Sequence, residues 1–389
     1  MKKSTVDKQI KKLVQTNKKS TITEIDARII DKQKRTIYNG EYQLIDVSKI
    51  DHKFLKLIKE FKEYLHNIKK MFDNYEINHK SIQHHIALLD QKKPEIFPIL
   101  DKYFFRIFDI TNSVVIEDNK LYRLYMQKSL LEYFVFAPLN YHIFTKPLGY
   151  AGDYQLMNLI YETYDKYMGD TLYDQLIHNY TGYIPISRSN IDRLGYLKQK
   201  IKEQKNNESA IKIASIACGP AREIIELIQD NELCANEYEF TLIDFEKKAM
   251  DYFMNEVNKI QKNKMKNIRF KFIPMDILNI IRGRLDNDFR DYNLIYSSGL
   301  FDYLKDKIAA NLIKELFERL SSNGTLIIIN ANIDKSFHRA YYETLGEWNF
   351  FHRTEENMLA WLEPIKNSIS KKYFELIPHK GYHFLNIKK

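Results

Sequence analysis

The sequence predicts an α/β protein in which a helical domain precedes a sheet with helices on both faces. Three observations indicate this fold class. Helical periodicity runs through the first part of the chain, strand and helix patterns alternate after residue 191, and glycines cluster between these regions. Alternating β and α units favour a parallel sheet covered on both sides. With 389 residues and 44% hydrophobic content, the chain can form two domains with ordinary cores.

The net charge of +9 is concentrated at the start of the chain. Residues 1–20 hold seven lysines and one aspartate, which alone give +6. Such a segment is typical of a solvated terminus, or of an arm that contacts nucleic acid or a membrane surface. We interpret residues 1–40 as a basic segment that is flexible or weakly helical.

Cysteine usage and hydropathy bear on compartment and metal binding. The two cysteines, Cys218 and Cys234, cannot form a disulfide framework and do not have the spacing of a metal site. No apolar run is long enough to cross a bilayer, and no secretory signal is recognisable. We therefore expect a cytoplasmic protein without a membrane span and without a metal.

Residues 41–140 are predicted to form a helical bundle. Apolar side chains recur there at steps of three and four, with lysines and glutamates between them. In the first helix these side chains are Leu55, Ile58, Phe61, Leu65, Ile68 and Phe72. One helix face should therefore be buried. Residues 81–111 and 118–137 have the same pattern.

Residues 141–190 are predicted to connect the two domains and to act as a lid. Four of the twelve glycines in the chain lie in this segment, and two of them belong to Gly-Tyr-Ala-Gly-Asp-Tyr at 149–154. Clustering in a glycine-poor chain indicates backbone conformations that other residues avoid.

Residues 191–389 are predicted to form a Rossmann-like domain with a seven-stranded sheet. Five apolar runs have the length of buried strands, and the last seventeen residues before the terminal lysines predict a hairpin. The five runs are 211–217, 238–243, 268–273, 292–297 and 324–331. Helical patterns lie between them, notably at 220–230, 246–262 and 306–320. A terminal hairpin after five β/α units suits a methyltransferase sheet better than the six-stranded sheet of a dehydrogenase.

The first two predicted strands end in residues suited to a nucleoside ligand. The first is followed by Ala217, Cys218 and Gly219, and the glycine lets a ligand approach the backbone. The second ends in Asp244, followed by Phe245, and a carboxylate there can accept hydrogen bonds from both ribose hydroxyls. Each feature also has a structural interpretation, because such a glycine often makes a tight turn and such an aspartate often caps a helix.

The third and fourth strands complete the pattern. Asp276 and Ile277 follow the third strand and suit the exocyclic amine and the ring of adenine. Ser298 and Gly299 follow the fourth, where the methionine end of S-adenosylmethionine (SAM) would lie. The Gly-x-Gly-x-x-Gly fingerprint of NAD sites and the phosphate-binding P-loop are both absent. Since SAM has no phosphate, a single glycine can serve, and we predict SAM as the cofactor.

Four sequence blocks resemble one bacterial family. They read KPLGYAGDYQLMNLIY at 146–161, ASIACGPAREI at 214–224, YNLIYSSGLFDYL at 292–304 and EWNFFHRTEENM at 347–358. These blocks resemble SAM-dependent methyltransferases of 3-hydroxypalmitic acid methyl ester (extracellular factor) biosynthesis, over about residues 140–389. The resemblance implies a class I methyltransferase fold, S-adenosylhomocysteine (SAH) as the product, and methyl esterification of a fatty-acid carboxylate.

The chain departs from the general methyltransferase pattern at two positions. Ser215 stands where the first strand often has an acid, and Ala221 stands where a further glycine often occurs. The acid that binds the amino group of SAM is therefore expected elsewhere. In the 149–154 segment, we expect Asp153 near that amino group and Tyr150 near the transferred methyl, with Gly152 also against the cofactor.

Methylation of a carboxylate requires positioning and a cationic or multi-donor clamp more than acid–base chemistry. Arg222, Arg188 and Arg353 are candidates for this clamp, and Arg222 is also expected to contact the cofactor. Each of them also has a surface or structural interpretation.

Other side chains in the blocks could contact the substrate. Tyr154 and Tyr303 could donate hydrogen bonds or line the transfer channel, and Tyr150 and Tyr303 join Arg222 as the expected catalytic residues. Asp302 could orient a hydroxyl or an amine, or cap the following helix. His338 and His352 would be candidate bases only for a hydroxyl acceptor.

The sequence favours methyl transfer to a small-molecule carboxylate without a dedicated base. Three alternatives stay open: a hydroxyl or amine acceptor, a macromolecular acceptor, and SAM binding without catalysis. Base N-methyltransferases often carry Asn/Asp-Pro-Pro-Tyr/Phe after the fourth strand. This chain has Ser297-Ser298-Gly299-Leu300 there, which counts against a nucleic-acid partner.

Overall fold

The computed structural model describes residues 45–114, 116–205, 210–333 and 337–389, without the side chains of residues 116–118. The basic segment predicted over residues 1–40 lies outside the described residues. The helices are α1 (His52–Asn78), α2 (Ile82–Asn112), α3 (Ile116–Leu130), α4 (Pro138–Thr145), α5 (Tyr154–Thr163), α6 (Leu172–Tyr183), α7 (Pro185–Lys202), α8 (Arg222–Gln229), α9 (Lys247–Asn258), α10 (Ile277–Ile281), α11 (Asp306–Glu318), α12 (Arg339–Tyr342) and α13 (Glu355–Ala360). The strands are β1 (Ile211–Ile216), β2 (Tyr238–Asp244), β3 (Ile268–Pro274), β4 (Tyr292–Ser297), β5 (Leu320–Ala331), β6 (Lys371–Glu375) and β7 (Tyr382–Lys388).

The chain divides into two compact units that interleave along the sequence. The helical unit comprises the described parts of Met1–Thr145, Asp165–Thr181 and Phe337–Glu347. The sheet unit comprises the described parts of Lys146–Tyr164, Gly182–Ser336 and Trp348–Lys389. The contiguous domains predicted over 41–140, 141–190 and 191–389 differ from these interleaved units, because a composition shift marks position along the chain and carries no information on contacts between distant segments.

The helical unit is built around one buried face of α1. Asp51 begins this helix by accepting a hydrogen bond from the Lys53 amide at 2.7 Å. Phe61 is fully buried and stacks on Tyr103 of α2, with ring centroids 4.3 Å apart. The predicted face is present, although Leu55 is only half-buried.

Residues 337–347 belong to the helical unit through buried polar contacts. The Tyr341 hydroxyl lies 2.6 Å from both Asn140 Nδ2 and Thr181 Oγ1. His338 Nε2 lies 2.9 Å from Asp101 Oδ1 of α2. Buried polar groups need such partners, and their geometry is set by tertiary packing.

The sheet unit contains a seven-stranded sheet in the order β3-β2-β1-β4-β5-β7-β6. Strands β1 to β5 pair in parallel, and β7 pairs antiparallel with both β5 and β6. This is the arrangement of a class I methyltransferase sheet, and it confirms the predicted fold class. The terminal hairpin predicted from sequence is present, with β7 inserted beside β5.

The central strands lie in the core of the sheet unit. Leu294, Ile295 and Tyr296 of β4 are fully buried in succession, as expected for a parallel strand covered on both faces. The chain order reverses between β1 and β4, which are neighbours in the sheet. In a doubly wound sheet, the carboxyl ends of the strands at this reversal form the ligand crevice.

Candidate functional site

The turn that follows β1 has an unusual backbone. Ala217, Gly219 and Ala221 have φ values of +52°, +53° and +45°. A non-glycine residue in this region costs roughly 1–3 kcal/mol and is frequent at functional sites. No atom lies within 4 Å of a Cβ built on Gly219, so the glycine faces open space. Cys218 is buried between Ala217 and Gly219, and its amide donates to the Ile243 carbonyl of β2 at 3.1 Å.

Asp244 joins the end of β2 to this turn. Its Oδ2 accepts from the Gly219 amide and its Oδ1 from the Glu246 amide, both at 2.8 Å. The carboxyl is buried, and burial raises its pKa. Phe245, the next residue, is 59% exposed. A carboxylate and an open glycine therefore lie side by side at the carboxyl edge of the sheet.

Asp276 is exposed and caps helix α10. Its Oδ1 accepts from the Asn279 amide at 2.9 Å, and its Oδ2 accepts from Asn279 Nδ2 at 3.0 Å. Ile277 is the half-buried first residue of that helix. The Met275 amide donates to the Asp244 carbonyl at 3.0 Å, so the ends of β2 and β3 lie together.

An arginine that was not predicted from the sequence contacts the end of β4. Arg193 of α7 donates from Nη1 to the Ser298 carbonyl at 2.5 Å. A Cβ added to Gly299 would lie 3.3 Å from the same Nη1. Arg193 lies outside the four sequence blocks on a helix with other charged residues, so sequence offered no signal for it.

Asp302 is a buried carboxyl beside this arginine. Its Oδ1 accepts from the Ala331 amide at 2.7 Å, and its side chain is 2% exposed. Burial raises the pKa of Asp302 to about 7, although the Ala331 hydrogen bond and the charges of Arg193 and Arg353 act in the opposite direction. It does not cap α11, whose N-cap residue is Lys305.

The 149–154 segment contacts both β2 and the loop after β4. The Tyr150 ring lies 5.4 Å from that of Phe245, and burial and the nearby Asp244 raise the Tyr150 pKa. A Cβ on Gly152, where φ is +75°, would lie 2.6 Å from the Tyr303 hydroxyl. Only glycine fits this contact without displacing the tyrosine.

Asp153 and Tyr303 each have partners within the sheet unit. Asp153 is buried and caps α5 by accepting from the Leu156 amide at 2.9 Å. The Tyr303 hydroxyl accepts from Trp348 Nε1 at 2.7 Å, while the residue as a whole is 40% exposed. The tryptophan was missed because a single indole in sequence most often indicates packing.

The three arginines selected from the sequence already contact protein groups. Arg222 forms ion pairs with Glu162 at 3.0 Å and Glu226 at 3.1 Å. Arg188 lies over the Tyr164 ring at 5.7 Å. Arg353 is 4% exposed, and its guanidinium donates to five acceptors. These acceptors are Asp306 Oδ1, Asn330 Oδ1 and the carbonyls of Phe301, Leu304 and Phe351.

Tyr154 and His352 lie in the sheet unit, whereas His338 lies in the helical unit. The Tyr154 ring lies 5.6 Å from Tyr252 of α9. His338 belongs to the helical unit and contacts Asp101 there. His352 is half-buried in the sheet unit, 5.7 Å from the Phe350 ring.

A buried acid lies behind the turn that follows β1. Glu223 Oε1 accepts from the Tyr296 hydroxyl at 2.6 Å, and burial raises the Glu223 pKa. Ser215, which stands where an acid often occurs, hydrogen-bonds to the same tyrosine. An acid on α8 therefore supplies a carboxyl close to a position where β1 lacks one.

The described part of the chain has neither a cluster of metal-ligating side chains nor a membrane-spanning helix. No group of three or more His, Cys, Asp or Glu side chains there could hold a metal ion. No helix there is long and apolar enough to span a membrane.

Comparison with known proteins supports the fold. No protein-family model matches the chain, and no curated protein does. A possible exported protein from Bordetella parapertussis has a similar structure, with a TM-score of 0.52 and 15% identity over 76% of this chain and 96% of that chain.

Two methyltransferases align with about half of the chain. Magnesium protoporphyrin IX methyltransferase from Synechocystis PCC 6803, with bound SAH, has a TM-score of 0.38 and 14% identity over 53% of this chain and 85% of that one. An N-methyltransferase from Bradyrhizobium japonicum, also with SAH, has a TM-score of 0.35 and 13% identity over 53% of this chain and 89% of its own.

Proposed function

We propose that this protein is a SAM-dependent O-methyltransferase that forms a methyl ester on a small-molecule carboxylic acid. One observation carries the proposal. The buried Asp244 carboxylate and the open, strained turn at Gly219 lie together, 2.8 Å apart, at the point where the strand order reverses. This edge is where doubly wound sheets bind nucleoside ligands.

The side chains around this edge suit SAM. The Asp244 oxygens accept amide hydrogen bonds from Gly219 and Glu246, and a carboxylate has further lone pairs that could accept from the ribose hydroxyls. Asp276 and Ile277 would meet the adenine amine and ring, with Phe245 beside the ribose. Tyr150, predicted near the transferred methyl, lies 5.4 Å from the Phe245 ring, so we place it beside the ribose instead. The loop Ser298–Gly299 would hold the methionine end. When bound, SAM supplies a sulfonium methyl whose carbon joins the acceptor oxygen while the carbon–sulfur electron pair stays on sulfur.

A carboxylate acceptor needs no proton removal, because the acid is already ionised at neutral pH. The protein then has to align the carboxylate oxygen and exclude water. Two features support this reading: the resemblance of four sequence blocks to methyl ester-forming enzymes, and the aromatic wall of Tyr303 and Trp348 beside Gly152.

A hydroxyl or amine acceptor is the second candidate, and Asp302 favours it. This carboxyl is buried beside the end of β4, and its pKa is raised to about 7. A group with a pKa near the working pH is suited to general base catalysis. His338 does not fit that role well, since its ring nitrogen is engaged by Asp101 in the helical unit.

Two measurements test the proposal. Calorimetry should detect SAH binding to the full chain, and Asp244→Ala should lose it while remaining folded. Radiolabelled methyl from SAM should then be transferred to carboxylic acids such as hexadecanoate and should be released as methanol by alkali, which cleaves esters and leaves ethers and methylamines intact. An alkali-stable product would exclude ester formation, and absence of SAH binding would exclude the whole proposal.

The pH dependence separates the two acceptors. A carboxylate acceptor predicts a rate that is nearly constant between about pH 6 and 8, with active Asp302→Asn, His338→Ala and His352→Ala variants. For a hydroxyl acceptor, the wild-type rate should rise with pH through about 7. The rate of Asp302→Asn should then be lower than that of the wild type by roughly 100-fold or more.

A further inference from the structure

Arg193 is a buried cation whose contacts are made to neutral groups. The side chain is 4% exposed, and its Nη1 donates to the Ser298 carbonyl at 2.5 Å. Its Nη2 lies 3.3 Å from the Tyr161 hydroxyl and 3.4 Å from Met157 Sδ. Its Nε is buried and has no hydrogen-bond partner among the described residues. One donor of the fork is therefore unused in the interior of the sheet unit.

The charge of Arg193 is not paired locally. No carboxylate in the described part of the chain lies at ion-pair distance from its guanidinium, although the buried acids Asp302 and Glu223 both interact with it electrostatically. Burial raises the pKa of both acids, which weakens their ability to neutralise the arginine. An unpaired buried ion costs several kcal/mol, so such a site favours binding of an anion.

Arg193 differs in its contacts from Arg222 and Arg353, two other arginines of the sheet unit. The guanidinium of Arg353 is used by five protein acceptors, and Arg222 is paired with two glutamates. Arg193 instead lies against Ser298 and Gly299, at the carboxyl end of β4, where any side chain on the glycine would crowd its Nη1. Because Gly299 has no side chain, its backbone can lie close to the Arg193 guanidinium at this edge of the sheet.

We propose that Arg193 binds a carboxylate at the end of β4. The proposal rests on the function proposed above and adds a residue that recognises one end of a ligand. A guanidinium is suited to this, because its planar fork matches a carboxylate and it stays charged when buried. Two carboxylates could reach a methyl-transfer site: that of the methionine moiety of SAM and that of the acceptor acid.

The two sources are distinguished by ligands that differ in the carboxylate. SAH carries it, whereas 5′-methylthioadenosine keeps the adenosine and lacks the whole amino-acid end. For the acceptor, hexadecanoate is compared with neutral hexadecanamide. Calorimetry on the full chain measures all four affinities for the wild type, Arg193→Gln and Arg193→Lys. Lys198→Gln is the matched control, since it removes a positive charge from the same helix, where Lys198 pairs with surface acids of α8 and the loop after it.

A cofactor site predicts that Arg193→Gln weakens SAH binding by about 10- to 100-fold while the 5′-methylthioadenosine affinity stays unchanged. Arg193→Lys should recover part of the loss, and Lys198→Gln should bind as the wild type does. An acceptor site predicts unchanged SAH binding, together with loss of the preference for hexadecanoate over hexadecanamide. Unchanged affinities for SAH and hexadecanoate in both Arg193 variants would overturn the proposal.

Unaltered 5′-methylthioadenosine binding serves as the folding control, because it reports an intact adenosine site. If Arg193→Gln loses both nucleosides, Arg193→Lys decides: equal losses for the two ligands would assign Arg193 a structural role and overturn the carboxylate site. A wild-type protein that binds neither SAH nor 5′-methylthioadenosine would refute the proposed function itself, and the inference with it.

Discussion

Replacing Asp302 by asparagine should stabilise the sheet unit at high pH. The pKa of this buried carboxyl is raised from 3.8 to about 7. In the pH range between these values, the folded state holds a proton that the unfolded state releases, so stability falls as pH rises. Above about pH 7 the penalty is complete, and at about 1.36 kcal/mol per pKa unit it is on the order of 4 kcal/mol. Asparagine keeps an oxygen for the Ala331 amide and never ionises.

Tryptophan fluorescence during urea unfolding measures this effect. The chain has two tryptophans, Trp348 and Trp361, and both lie in the sheet unit, so the signal reports that unit. The stability of Asp302→Asn relative to the wild type should increase by about 3 kcal/mol between about pH 4.5 and about pH 8. A difference that does not change with pH, or that decreases, would refute the reasoning.

Asp306, the first residue of α11, provides a control of opposite sign. Burial tends to raise its pKa, but hydrogen bonds from Trp361 and Arg353 outweigh this and lower it. A carboxyl with a lowered pKa stabilises the folded state above the unfolded pKa and loses that contribution as pH falls. Asp306→Asn should therefore lose stability relative to the wild type as pH rises towards about 4, and the difference should stay constant above that pH. The loss should be small because the side chain is largely exposed.

Three further predictions concern single positions. Asp244→Ala should weaken SAH binding by at least about 100-fold in calorimetry, since two hydrogen bonds to a charged group are each worth roughly 1.5–3 kcal/mol; unchanged affinity in a folded variant would refute its role. Gly152→Ala should lower the melting temperature more than Gly149→Ala, because both have positive φ but only the first Cβ meets a hydroxyl, that of Tyr303; equal shifts would contradict the contact. Arg353→Met should destabilise the sheet unit by about 3–5 kcal/mol, because it leaves a buried cluster of acceptors unpaired, yet SAH affinity of the folded protein should be unchanged; a selective loss of SAH binding would place it in the ligand site.

The candidate ligand-binding residues at the strand ends could be predicted from sequence, because each lies directly beside the apolar run that predicts its strand. The glycine turn at Gly219 and the aspartate at Asp244 each follow an apolar run, and parallel strands of one sheet bring such ends to a single edge. The roles of other residues were not readable in this way. Asp276 and Asp153 both cap helices in the structure, and their ligand roles stay predictions, because an aspartate looks the same in sequence whether it caps a helix or also binds a ligand.

The sequence by itself determined the α/β class, the approximate positions of the five parallel strands and the presence of the terminal hairpin, because burial of a strand leaves a period and a length in the order of residues. Only the tertiary structure decided which arginine remains unpaired. Arg353 donates hydrogen bonds to five acceptors, and Arg193 donates to the Ser298 carbonyl. Both sets of contacts join segments that are far apart in the chain. Desolvation likewise depends on everything packed around a group, which is why the raised pKa of Asp302 could not be predicted from its neighbours in sequence.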